Sequence, residues 1–247
     1  NQTIDDVIVQ MDQIMERCMR EHSKLGYFAT LYRDVTVRVR DGIAVGRFEN
    51  GPRMERLDVV FAHRYLNALD AYWRGDETPR CWLAAFRATQ FPTPVILQHL
   101  LLGINAHINF DLGIAAAQIA SADELPSLKR DFAEITVLLN DMLRDVQVRI
   151  GRVSPLFHLM DEVGGRTDEQ IGAFAMQAAR DLSWRTAEKL VAATPDQAKL
   201  EIFLHDRIVT VLGYRICFPS GALSLALATI RAQELNQVPA VMAALRM

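Results

Sequence analysis

Polar side chains interrupt the most apolar stretch of the chain, residues 94–120, and their types could support chemistry. Histidine and aspartate are ordinary ligands of zinc, iron and manganese, and histidine is the side chain best suited to exchange a proton near neutral pH. His107 and Asp111 are four residues apart. On an α-helix they would lie one turn apart on the same face. The stretch therefore predicts a metal site or an acid–base pair inside an apolar helix.

The four-residue spacing extends towards the start of the same stretch. His99, Gly103, His107 and Asp111 would form one slanting ridge on the helix. A glycine inside a helix costs about 1 kcal/mol relative to alanine, so Gly103 predicts either close packing or access to the ridge. We expect any bound metal, a divalent zinc, iron or manganese ion, to be held by His99, His107 and Asp111.

Further polar residues are candidates for the same site. Asn105 and Asn109 flank the ridge and are expected to orient a ligand. Asp58 lies in a second apolar segment, residues 57–66, and is expected to face the ridge from a neighbouring helix. The predicted catalytic set is therefore His107, Asp111, Asp58, Asn105 and Asn109.

Three functional interpretations fit these residues. The first is a small-molecule enzyme, for example a metal-dependent hydrolase, a lyase or cyclase, or an oxygenase-like protein. The second is a binding protein for an apolar or amphipathic small ligand, without chemistry. The third is a buried polar network that only fixes helix packing, since buried polar groups must find partners. A cavity beside His107 would count against the third interpretation.

Helix start and stop signals recur along the whole chain. Four Ser/Thr-Pro pairs predict helix starts, because a capping hydroxyl followed by proline suits the first turn of a helix. They are Thr78-Pro79, Thr93-Pro94, Ser154-Pro155 and Thr194-Pro195. The predicted loops are short and no linker divides the sequence. We therefore predict an all-α fold, with residues 1–247 forming a single-domain helical bundle of eight to ten helices.

Composition and charge narrow the functional classes. Of 247 residues, 50% are hydrophobic and 23% charged, which is typical of a globular protein and not of a disordered one. The net charge of −3 disfavours nucleic-acid binding, which needs a basic surface. The polar residues within 94–120 argue against a membrane span. Three widely spaced cysteines predict no disulfide framework, and we expect a cytoplasmic protein that binds a small molecule.

The segment LQHLLLGINAHINFDL, residues 97–112, resembles the signature of a bacterial family of uncharacterised all-helical proteins, a domain of unknown function. Residues 56–66, 131–135 and 178–190 are similar to further segments of that family, and the resemblance spans roughly residues 4–212. His63 stands where the family pattern leads us to expect asparagine, which makes it a poor candidate for an essential ligand. The resemblance implies an all-helical fold and puts weight on His99, His107 and Asp111, but it implies no reaction.

Overall fold

The structure is a computed structural model that describes residues 2–156 and 168–246, with the side chains of residues 143, 144 and 168–177 left out of the description. These two stretches form eleven α-helices and one π-helical segment, and they contain no strand. The helix that the Ser154-Pro155 pair is predicted to start lies mostly outside the described residues, since these leave out residues 157–167.

The α-helices follow one another with short connections. They are α1 (Ile4–Arg20), α2 (Gly26–Ala44), α3 (Gly51–Arg74), α4 (Arg80–Ala88), α5 (Ile96–Ile104), α6 (Leu112–Ile119), α7 (Leu125–Val153), α8 (Asp168–Ala192), α9 (Pro195–Cys217), α10 (Ala222–Gln233) and α11 (Val238–Leu245). The π-helical segment, Asn105–Asp111, joins α5 to α6 without a break. The all-α prediction is confirmed, and counting α5, the π-segment and α6 as one rod gives ten helical rods in the described residues.

Local capping explains many of the helix boundaries. Thr3 caps α1 in a capping box with Asp6, and Thr194 does the same for α9 with Gln197. The Thr93-Pro94 pair, in contrast, does not start α5, which begins at Ile96. The amide of Ile96 donates to both carboxylate oxygens of Glu234, at 3.0 and 3.1 Å. A buried carboxylate from the loop after α10 therefore caps this helix in place of the predicted threonine.

The rod formed by α5, the π-segment and α6 runs through the centre of the bundle. It contacts α2, α3, α4, α8 and α9. A Cβ atom added at Gly103 would lie 2.3 Å from Phe28 Cδ2. One added at Gly113 would lie 2.5 Å from the carbonyl oxygen of Ser183. The prediction that Gly103 permits close packing is confirmed, since the ring of Phe28 on α2 occupies the space that a side chain would need.

The sequence predicts a regular α-helix over residues 105–111, whereas the structure has a π-helical segment there. A π-turn closes hydrogen bonds over five residues, which widens the helix; such turns are rare and frequently occur at functional sites. Side chains from two other helices bind its backbone. Ser183 Oγ on α8 donates to the carbonyl of Ile108, and His205 Nε2 on α9 lies 2.6 Å from the carbonyl oxygen of Asn109. Tertiary contacts therefore help to hold the wider turn.

One helix in the described part of the chain, Ile96–Ile119, is long and apolar enough to cross a membrane. Its apolar window is 83% buried inside the bundle, as we expect for a core helix. Helices α9 and α10 are long and apolar enough to cross a membrane only when they are counted as one helix, and they are bent by 65° relative to each other.

Candidate functional site

A cavity of about 120 Å³ lies beside the π-segment. Its walls come from α2, α3, α7, α8 and the central rod, and they are mostly aliphatic or aromatic. Four lining residues carry polar groups, namely Tyr32, Asp58, His107 and Arg180. An apolar cavity with a few convergent polar groups is the usual form of a small-molecule site.

His107 is held in the cavity wall by aromatic rings. Its imidazole stacks on Phe61 with 3.5 Å between ring centroids and 8° between planes, and Tyr32 meets it edge-on at 4.2 Å. The residue is 3% exposed, and burial lowers the pKa of its imidazole below the usual 6.5. His107 is therefore neutral at neutral pH, and its Nε2 has no hydrogen-bond partner among the described residues.

Asp111 is buried next to His107 but does not line the cavity, and its carboxylate forms a separate hydrogen-bond network. Its carboxylate accepts hydrogen bonds from Arg64 Nε at 2.8 Å and Trp82 Nε1 at 2.7 Å. His107 Nδ1 is 3.5 Å from Asp111 Oδ2, which is a long contact compared with the other two. A carboxylate facing Nδ1 favours the proton on that nitrogen, which leaves Nε2 as the basic atom. The Phe61 stack fixes the plane of the ring, and Asp111 selects its tautomer.

Asp58 on α3 lines the same cavity as His107. Burial, assisted by the charge of Glu55, raises the pKa of its carboxyl to about 8. Asp58 is therefore protonated at neutral pH, and no described residue forms a hydrogen bond with its Oδ2. Burial also raises the pKa of Tyr32 well above its usual 10, and the charge that Asp58 carries once it ionises raises it further, so the hydroxyl of Tyr32 stays protonated. The cavity thus holds two proton donors and one neutral base.

The opposite pKa shifts of Asp58 and His107 have a chemical consequence. When neighbouring environments keep a carboxyl protonated and an imidazole neutral, the first can give a proton and the second can take one at the same pH. This arrangement can transfer a proton to or from a molecule in the cavity. Shifts of this kind also occur in structural networks, but here both groups line an empty space.

Comparison with known proteins supports the resemblance in the sequence. The family model DUF5995, described as a family of unknown function, matches residues 4–219. The chain belongs to DUF5995. The match confirms the predicted family resemblance and extends slightly beyond the predicted range of residues 4–212. A search of curated proteins and a search of solved structures gave no match.

In this DUF5995 chain, the two asparagines of the predicted site lie away from the cavity. Asn105 Nδ2 donates to the carbonyl of Val209 at 3.0 Å, and Asn109 Nδ2 donates to Asn105 Oδ1 at 2.9 Å. Asn105 therefore binds the π-segment to α9, and Asn109 binds Asn105 within the segment. Neither side chain lines the cavity that holds His107, so the structure does not support their prediction as residues that orient a ligand.

His99 also lies apart from His107. It lines a separate space of about 20 Å³ with Tyr65 and Lys24, and its ring meets Tyr27 edge-on. Burial, followed by the positive charges of Lys24 and Arg231, lowers the pKa of its imidazole to about 3. The same positive charges oppose a bound cation. The structure does not bring His99, His107 and Asp111 together, because Phe28 packs at Gly103 between the two histidines.

No group of three or more His, Cys, Asp or Glu side chains is placed to hold a metal ion within residues 2–156 and 168–246. The metal-binding set expected from the sequence therefore has no counterpart in the described geometry. Of the predicted site residues, Asp58 and His107 line the cavity and Asp111 faces His107. This arrangement fits the predicted acid–base pair rather than the predicted metal site.

Other polar residues outside the cavity are buried by tertiary contacts. His205 is buried against the π-segment. Asp131 is buried and accepts hydrogen bonds from the amide of Glu49 and from Arg53. Trp82 donates to Asp111 in the core. In each case the partner is distant in sequence.

Sequence reasoning missed three contributors to the site. Tyr32 lies within the apolar run of α2 and resembles an ordinary core aromatic residue. Arg64 and Arg180 lie in helices with other charged residues, so neither stands out. The sequence signal for a buried arginine is its position among hydrophobic residues on one face of a helix. That signal can be used only when the buried face of the helix is already known.

Proposed function

We propose that this protein is an enzyme that binds a small, mostly apolar molecule in the His107 cavity and transfers a proton on it. One observation carries this proposal. A neutral imidazole and a protonated carboxyl, each with an unpartnered polar atom, line the same apolar cavity. A network that served only to fix helix packing would pair these atoms with other protein groups.

The geometry suits removal of a proton next to a carbonyl group. His107 Nε2 would take the proton, the electron pair of the broken C–H bond would form a C=C bond, and the π pair of the carbonyl would move to its oxygen, to which the hydroxyls of Asp58 and Tyr32 would donate. In a β,γ-unsaturated substrate, return of the proton from Nε2 to the γ-carbon would shift the double bond and re-form the carbonyl, which completes an isomerisation. The apolar wall strengthens these hydrogen bonds by excluding water. Asp111 would face the imidazolium that forms transiently.

Exchange of carbon-bound protons tests this role of His107. We expect the protein to accelerate hydrogen–deuterium exchange at the α-carbons of cyclohexanone, a probe small enough for the cavity, over buffer alone. His107→Gln should reduce the acceleration by about 10²–10⁴-fold, the usual contribution of a general base. Proton NMR in deuterated buffer measures the rate.

His99→Gln is the matched control for this substitution, because it changes a buried histidine of the same rod that lies outside the cavity. It should retain the wild-type exchange rate. Equal loss in both variants, or no acceleration by the wild-type protein, would contradict the proposed role of His107.

The pH dependence of exchange should follow the two pKa shifts. The base must be neutral, so activity should fall only below the lowered pKa of His107, in the acid range under 6.5. The acid must be protonated, so activity should also fall as the pH rises through about 8, where Asp58 ionises. Asp58→Asn keeps a hydrogen-bond donor and cannot ionise, so it should remove the alkaline fall. A pH–rate profile in which the alkaline fall persists in Asp58→Asn would assign it to another group.

Binding without chemistry is the second candidate function. It is favoured by the largely aliphatic wall of the cavity, which would supply most of the affinity for an apolar ligand. Cyclohexanone binding without proton exchange, abolished when Val35→Phe fills the cavity from α2, would support this candidate over the enzyme.

A further inference from the structure

Arg180 on α8 is the fourth polar residue of the cavity, and proton transfer does not use it. The residue is 2% exposed. Burial lowers the pKa of its guanidinium to about 9, so the group remains charged at neutral pH. A buried charge is costly unless an opposite charge accompanies it. Arg180 therefore requires an explanation that packing alone does not provide.

The contacts of Arg180 satisfy only part of its guanidinium. Nη2 donates to the carbonyl of Phe132, and the group lies over the ring of Phe132 at 4.2 Å from its centroid. Among the described side chains, Nε has no hydrogen-bond partner. The charge of Asp181, the exposed next residue on α8, acts on Arg180, but no described carboxylate forms an ion pair with Arg180 at 4.0 Å or less. Asp58, in the same cavity wall, is protonated and does not balance the charge.

We propose that Arg180 binds a carboxylate of the cavity ligand, so that the substrate is a small apolar carboxylic acid. This inference rests on the proposed function, since it assigns the substrate class of the same cavity. A planar guanidinium matches a carboxylate in shape and charge. The neutral state of Asp58 removes the repulsion that an ionised carboxyl would exert on such a ligand.

The volume of the cavity limits the size of the acid. An apolar cavity of roughly 150 Å³ holds a benzene molecule, and this one measures about 120 Å³. The ligand would therefore have a body no larger than one six-membered ring. Its carboxylate would lie at Arg180, and its reacting carbon would lie at His107 and Asp58.

Benzoate and benzyl alcohol form a matched pair of probes, because they share a ring and differ in charge. We expect the wild-type protein to bind benzoate about ten- to hundredfold more tightly than benzyl alcohol, as one charge-assisted contact allows. Arg180→Gln should remove this preference and leave the affinity for benzyl alcohol unchanged. Arg185→Gln, an exposed arginine on the same helix, should bind both probes as the wild type does. Isothermal titration calorimetry measures the affinities.

The outcomes separate this inference from the proposed function. If benzyl alcohol binds as tightly as benzoate, or if Arg180→Gln keeps the preference, the carboxylate inference is overturned and the proposed function remains. If neither probe binds but cyclohexanone still exchanges its protons, the inference alone fails. If neither probe binds and exchange is absent, both fail. Should Arg180→Gln not fold by circular dichroism, Arg180→Lys keeps the charge and should retain a preference for benzoate.

Discussion

Asp111→Ala is expected to lower the free energy of unfolding by about 3 kcal/mol, because it leaves the buried indole N–H of Trp82 and the half-buried guanidinium of Arg64 without their acceptor. Asp111 is 1% exposed and accepts hydrogen bonds from Arg64 and Trp82. The indole of Trp82 is also fully buried, so water cannot replace the lost carboxylate. Urea denaturation of the wild-type protein and the variant measures the change.

An exposed ion pair provides the matched control for Asp111. Arg74 and Asp70 pair across one helical turn of α3, and both side chains are 58% exposed. Asp70→Ala should change the free energy of unfolding by no more than about 0.5 kcal/mol, as is usual for such pairs. A double variant, Arg64→Met with Asp111→Ala, should lose less than the sum of the single variants, because it no longer buries an unpaired charge. A loss below 1 kcal/mol in Asp111→Ala would contradict the interpretation of Asp111 as the centre of a buried network.

Gly103→Ala is expected to lower the free energy of unfolding by about 2–3 kcal/mol, although alanine is the better helix former. The added Cβ would lie 2.3 Å from Phe28 Cδ2 and 2.9 Å from Phe28 Cβ. The second distance involves an atom next to the backbone, so rotation of the ring cannot relieve the overlap and α2 must move. Overpacking of this kind typically costs 1–3 kcal/mol.

Gly151→Ala on α7 is the control for helix propensity. None of the described residues has an atom within 4 Å of a Cβ added there, so the substitution should stabilise the protein by about 0.5 kcal/mol. The same chemical change is thus predicted to have opposite signs at the two positions, which thermal or urea denaturation can resolve. Partial recovery of Gly103→Ala by Phe28→Leu would confirm the contact, and equal effects at Gly103 and Gly151 would contradict it.

Much of the helical fold could be predicted because its signals are local. The capping boxes at Thr3 and Thr194 depend on residues three positions apart, and the glycine that ends α3, Gly75, adopts a left-handed conformation that a terminal glycine tolerates. The α5 start was misplaced because its cap, Glu234, lies 138 residues away in sequence. Boundaries set by distant residues are not visible in local patterns.

The candidate site could be predicted only in part. His107, Asp111 and Asp58 stand out because charged or titratable side chains in apolar runs are costly and need a reason. Asn105, Asn109 and His99 stand out for the same reason, yet the structure turns them to α9 or into a separate space. The predicted ridge assumed a regular α-helix, and the π-turn changes which residues share a face.

The sequence by itself determined the all-α fold, the central apolar helix and the residue types able to exchange a proton, because hydrophobic period, caps and composition are properties of neighbouring residues. Only the tertiary structure decided which of those residues meet. Ser183 and His205 bind the wider π-turn, Phe28 separates His99 from His107, and the packing of α2, α3, α7 and α8 leaves a cavity at His107. These contacts join residues far apart in the chain, and their geometry and burial set the pKa values on which the proposed chemistry depends.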